Sequence, residues 1–287
     1  MLVRWTSLEA SIADEQFVRT CAAMLRPPVD INNYAFIDGN YLRRAYLDTM
    51  RKLFPEVHYS DLDLEKVKHA AGASRVFYYD AIDEQADDAS ERTAYLDKLN
   101  ELDGFHVRKG LITGSTNKKR QKGVDVQLAV ECLTHAHNKT IWHATLFAGD
   151  LDFQPLVAQL VNIGVHVHVY YERRSGARKL YQSADVAVPI RIADFWDWST
   201  HDFQNANALI KTDFNVKTPP FFVIERALWG SLEVTLLRNT THGVYPGHAI
   251  HVTRNGATAF RYGDPSAERL KTFFELQHGH VEWKAPA

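Results

Sequence analysis

Four aspartates stand where strands and helices would bring them to one edge of a fold: Asp38, Asp125, Asp150 and Asp152. Asp38 ends the short apolar run Tyr34-Ala-Phe-Ile-Asp38, Asp125 opens a helix-like pattern, and Asp150 and Asp152 follow the apolar run Ile141 to Phe147. Carboxylates sharing one pocket repel and raise one another's pKa unless a cation neutralises them, so such a grouping implies a metal. Hard oxygen donors without His or Cys favour Mg2+ or Mn2+ over zinc. The matching reaction is phosphodiester hydrolysis. One ion activates the attacking water, and the same ion, or a second about 3.5 to 4 Å away, stabilises the leaving oxygen.

Bringing these acids together requires strands that all deliver their carboxyl ends to one side. The sequence has the alternation that does this. Apolar or β-branched runs at Tyr34 to Asp38, Arg75 to Tyr79, Phe105 to Leu111, Ile141 to Phe147, Val165 to Tyr170 and Val186 to Ile190 predict strands. Between them, helical spacing predicts helices through Leu42 to Leu53, Leu64 to Ala71, Tyr95 and Leu99, Val124 to His137, Phe153 to Ile163 and Ala177 to Ser183. Alternating strands and helices give an α/β fold with a mostly parallel central sheet, whose ligand site lies beyond the carboxyl ends of its strands. Taken singly, Asp125 and Asp152 also suit a helix start or cap, whereas Asp38, followed by Gly39 and Asn40, has no evident helix to cap.

Before this series, residues 1–32 read as a leader helix carrying Leu8, Ile12, Phe17, Val18 and Cys21, stopped by Pro27 and Pro28. The main domain is expected over 33–200. From about Asn205 the texture changes, and 201–287 is expected to be a small C-terminal α+β extension, with strands at Phe221 to Ile224, Leu232 to Leu237 and His248 to Thr253 and a helix through Leu270 and Phe274.

A hydrophobic fraction of 45% with 24% charged residues is ordinary globular composition. No apolar run approaches the roughly 20 residues that span a bilayer, and the N-terminus has acids where a signal peptide is apolar, so a cytoplasmic protein without a membrane partner is expected. The two cysteines, Cys21 and Cys132, have no metal-ligand spacing and read as small buried side chains. A net charge of -2 leaves nucleic-acid binding to local patches. These are Lys118, Lys119, Arg120 and Lys122; Arg173, Arg174, Arg178 and Lys179; and Arg43, Arg44, Arg51 and Lys52. Each alone also suits a solvated face.

Three segments resemble a known family. Ile37-Asp38-Gly39-Asn40-Tyr41-Leu42, Lys122-Gly123-Val124-Asp125 and Ala148-Gly149-Asp150-Leu151-Asp152-Phe153 are similar, in order and spacing, to the signatures of NYN domains of the LabA type, relatives of PIN nucleases. The likeness runs over about residues 33 to 195, with Lys179-Leu180 and Ser183-Ala184-Asp185 near its end. It implies a PIN-like three-layer sandwich and a Mg2+- or Mn2+-dependent ribonuclease, an endonuclease by expectation. Asp38, Asp125, Asp150 and Asp152 would be both catalytic residues and metal ligands. Asn40 would contact substrate or a metal-bound water, Tyr41 offers a stacking surface for a base, and Lys122 suits a phosphate. Arg43, Lys118, Lys119 and Arg120 join these as substrate-binding residues. A further acid common in PIN-type sites has Asp80 and Asp83 as candidates.

Two other readings compete. A HAD-like phosphohydrolase would place a second Asp two residues after its nucleophile, where this chain has Asn40. A non-catalytic RNA-binding module would keep the fold and the basic rim and use the acids structurally. The C-terminal extension would select substrate or form a homodimer. His166 and His168 share a strand face but lack a third metal ligand, and Phe77, Tyr78 and Tyr79 read as core.

Overall fold

Ala35, Phe36 and Ile37 are fully buried, as a continuous apolar run must be when both faces of its strand are covered. They belong to β1 (Asp30–Asp38), the middle strand of a seven-stranded sheet in this computed structural model, which describes residues 30–82, 86, 88–113, 120–121, 123–173, 177–212, 221–239 and 247–286. On one side of β1 lie β2 (Ala73–Ile82) and β3 (Phe105–Thr113), with the two-residue β4 (Arg120–Gln121) at the edge. On the other lie β5 (His143–Phe147), β6 (His166–Glu172) and β7 (Val186–Ile190). β1, β2, β3, β5, β6 and β7 are parallel throughout; β4 pairs antiparallel with β3.

Period-two alternation sends neighbouring side chains to opposite faces, and helices cover each. Phe36, Phe77 and Leu146 meet Leu128 and Cys132 of α4 (Val124–His137), Val157 and Leu160 of α5 (Gln154–Asn162) and Leu180 of α6 (Arg178–Gln182). The opposite face carries α1 (Gly39–Met50) and α7 (Ile192–Asp197). There the Tyr46 and Phe195 rings meet edge to face at 5.6 Å, and Trp198 meets both Phe195 and Phe147. The shorter α2 (Leu64–Ala70) packs on β2, α3 (Ala89–Asn100) on β3, and α8 (His201–Ala206) follows α7. The result is the expected three-layer α/β sandwich.

Contacts divide the described residues into one unit within Pro27–Ala206 and another within Asn207–Ala287. The second is an antiparallel sheet in the order β8 (Lys211–Thr212), β12 (Ala257–Asp264), β11 (His248–Arg254), β10 (Leu232–Asn239) and β9 (Phe221–Trp229), with α9 (Ala267–His278) against β11 and β12. No described helix is long and apolar enough to cross a membrane.

The described elements depart from expectation in four places. β2 runs on through Asp80 to Ile82, where a loop was expected after Tyr79. β4 forms inside the expected polar loop, α7 and α8 form where no element was expected, and β8 and β12 add strands to the C-terminal sheet. The expected leader helix, with Cys21, lies outside the described residues; Cys132 is fully buried.

Candidate active site

The chain leaves β1 for β2 and β3 on one side, then returns to β5 on the other, so the sheet order reverses between β1 and β5. A crevice opens where neighbouring strands send their chains opposite ways, and ligands of open α/β sheets bind there. Asp38 is the last residue of β1, and Asp150 lies three residues beyond Phe147, the last of β5. Between them is an open cleft of about 990 Å³ lined by Asp38, Asn40, Tyr41, Asp125, Asp150 and Glu172, among others.

Asp38 is held from both directions. Its backbone closes β1, and its Oδ1 accepts the Tyr41 amide at 3.0 Å, making it the N-cap of α1. The helix therefore starts directly at Gly39, contrary to the expectation that Asp38 has nothing to cap. Glycine is required there because a Cβ would stand 2.5 Å from the Tyr78 ring. Burial, followed by the charges of Asp125, Asp80 and Asp150, pushes the Asp38 carboxyl up to about 6 against the opposing pull of the Tyr41 amide.

Asp125 lies in the first turn of α4, where the helix N-terminus favours negative charge. Its pKa is nevertheless raised, by burial first and then by Asp150 and Asp152. Asp150 caps the 3-10 turn Leu151–Phe153 by accepting the Asp152 amide at 3.0 Å. Asp152 itself is exposed and outside the cleft lining, though its charge reaches Asp125.

The neighbouring polar residues are oriented by one another. Asn40 Oδ1 accepts from Arg43 Nη2 at 3.0 Å, so the carbonyl end of the amide is engaged and its NH2 end is the free donor. Arg43 turns toward Tyr78, Asp80 and Arg92 rather than lining the large cleft, so its expected contact with substrate becomes a contact with Asn40. Tyr41 lies against Gly149, where any Cβ would run into its ring, and its hydroxyl accepts the Glu172 amide at 2.7 Å.

The profile of the NYN domain family matches residues 30–191. This chain belongs to the NYN domain family. NYN domains are part of the PIN-like nuclease superfamily. Among solved structures the chain is similar to a protein of unknown function from Vibrio parahaemolyticus RIMD 2210633, at 19% identity and a TM-score of 0.43, covering 59% of this chain and 96% of that one. No curated protein matches the chain.

Within the NYN domain, Asp80 is not a cleft acid. It is buried at 2% exposure, with Oδ2 accepting from Arg92 Nη2 at 2.5 Å and Oδ1 from the Ala81 amide. Glu172, which the sequence reading passed over, does line the cleft; it ends β6, and the carboxyl-end rule that singled out Asp38 and Asp150 would have found it. Asp83, Lys118, Lys119, Lys122 and Arg174 lie outside the described residues, as does the side chain of Arg120. Arg173, Arg178 and Lys179 are exposed beyond the cleft wall.

The donor set of the NYN cleft is all oxygen, and its acids penalise one another's charge, which is the chemistry a hard divalent cation relieves. The carboxylates surround the cleft without being drawn together: among the described residues no three His, Cys, Asp or Glu side chains are grouped as metal ligands.

Proposed function

We propose that this NYN domain is a metal-dependent ribonuclease that hydrolyses RNA phosphodiester bonds in the cleft between β1 and β5. The observation that carries this reading is the placement of Asp38, Asp125 and Asp150 on the lining of one cleft, with burial and mutual repulsion raising the pKa of the first two. Asp38, Asp125, Asp150 and Asp152 would hold Mg2+ or Mn2+. Bound there, the ion supplies charge neutralisation for a phosphoryl oxygen and activates water.

The chain's own groups prepare the site for that ligand. The Tyr41 amide fixes the Asp38 carboxylate, and the 3-10 turn fixes that of Asp150. Asn40, aligned by Arg43, presents its NH2 as a donor to a phosphate oxygen. Tyr41 ties the start of α1 to the end of β6 and so holds the wall that carries Glu172. Lys118, Lys119, Arg120 and Lys122 supply further phosphate contacts, and Asp152 completes the acids from the rim. The cytoplasm is the setting for this activity, and the C-terminal sheet serves substrate selection or a homodimer.

The test is cleavage of labelled single-stranded and structured RNA by the purified protein with manganese, magnesium or EDTA. Cleavage is expected with either metal and not with EDTA, and Asp38→Asn or Asp150→Asn should reduce it by more than about 100-fold, beyond the usual loss for a group that only supports a ligand. A binding module without catalysis is the second reading, favoured by the ungrouped carboxylates. RNA binding that survives EDTA, with no cleavage under any metal, would establish it in place of the nuclease.

A further inference from the structure

Three charged residues of α1 and the turn after it, Arg44, Asp48 and Lys52, are spaced by four and so fall on one side of the helix. All three line the same cleft as Asp38, Asp125 and Asp150. The Lys52 amide still donates to Thr49 O, so the helical path continues past the last residue of α1. At about 1.5 Å per residue, Arg44 and Lys52 stand roughly 12 Å apart along the axis. Both are exposed, and neither has a hydrogen-bond or ion-pair partner among the described residues, Asp48 included. Arg43, one position away, is committed to Asn40.

An unpaired cation gains little from facing an acid-lined cleft unless an anion comes to it. Because Asp38 caps the start of α1, the row leads along the cleft away from that acid. We propose that RNA in this cleft runs as a single strand along α1, with Arg44 and Lys52 as contacts to its phosphates. The roughly 12 Å between them spans about three stacked nucleotides at ~3.4 Å each. The Lys and Arg side chains that line the cleft, Arg44 and Lys52, form one row, which meets one backbone, whereas a duplex presents two. Asp48 sits between the two contacts as a like-charge penalty that limits affinity and lets a product leave. The proposal rests on the ribonuclease reading only in taking RNA as the cleft's ligand.

Salt dependence of binding tests it without any need for turnover. A labelled single-stranded RNA is titrated with the whole chain in EDTA between about 50 and 200 mM salt, where each phosphate contact on a single strand contributes about 0.7 to the slope of log K against log salt. The Arg44→Gln, Lys52→Gln double variant should lower that slope by about 1.4, and Asp48→Asn should tighten binding. Lys98→Gln, exposed, outside the cleft lining and in none of the basic patches, should leave the slope unchanged. Binding by the wild type with an unaltered slope in the double variant overturns the track and leaves the ribonuclease reading standing. A duplex that binds more tightly than the single strand, with the same loss of slope, overturns the single-strand assignment. Absence of RNA binding by the wild type in EDTA at every salt overturns the track, and the cleavage assay with metal then decides the ribonuclease reading by itself.

Discussion

Asp38 accepts the Tyr41 amide with one carboxylate oxygen, so its orientation is set before a ligand arrives. Tyr41 in turn is braced at its far end, where its hydroxyl takes the Glu172 amide and its ring rests on Gly149. Tyr41→Phe should remove that hydrogen bond and cost about 1 kcal/mol of folding stability in urea titrations. Gly149→Ala should cost more, since the ring itself must move. The identities of these acids were legible because an acid at the end of an apolar strand is conspicuous. The capping role of Asp38 was not, because Gly39 reads as a helix breaker unless one knows that Tyr78 occupies the space of its missing side chain. The contact of Arg43 with Asn40 was hidden for a similar reason: a cluster of arginines in sequence does not say which way each one turns.

At the scale of elements, the buried pair of Arg92 on α3 and Asp80 on β2 ties a helix to the sheet. Removing one member of such a pair strands the other charge. Arg92→Met should therefore destabilise the fold by about 3 to 5 kcal/mol, and replacing Asp80 as well by Leu should recover most of the loss, both read from denaturant midpoints. This pair also explains why β2 outruns its apolar stretch: Asp80 can stay in the sheet because a partner twelve positions later neutralises it. Strands with an apolar run, such as β1, or with β-branched alternation, such as β6, announce themselves. β12 does not, because a register shift between Val252 and Thr253 of its partner breaks the alternation around Ala259. β4 has only two residues and exists through its pairing with β3, and the six-residue helices α7 and α8 are too short for a helical period to repeat.

For the molecule as a whole, the reversal of strand order explains why distant aspartates could be grouped from sequence, while Glu172 waited on the same rule being applied to β6. Acid stability is also a property of the whole chain. His106, His135 and His168 are lowered in pKa, by burial first, and His251 is lowered to about 4 by burial and then by Arg261. These imidazoles stay neutral in the fold but would take up protons near 6.5 when unfolded, so their contribution to stability is present above that pH and is lost as pH falls toward about 4. Asp38, raised to about 6, acts in the opposite sense. Urea titrations at stepped pH should show His251→Gln losing less stability than the wild type between about pH 6.5 and 4. The central position of β1 has one more consequence, during synthesis. Its partner β5 begins at His143, 105 residues after Asp38 (143 − 38), so at about 5 to 20 residues per second one edge of this buried central strand waits roughly 5 to 20 s for its neighbour to be made. For that interval the nascent chain carries an open, sticky seam, and its yield in the cell will depend on what shelters it at the ribosome.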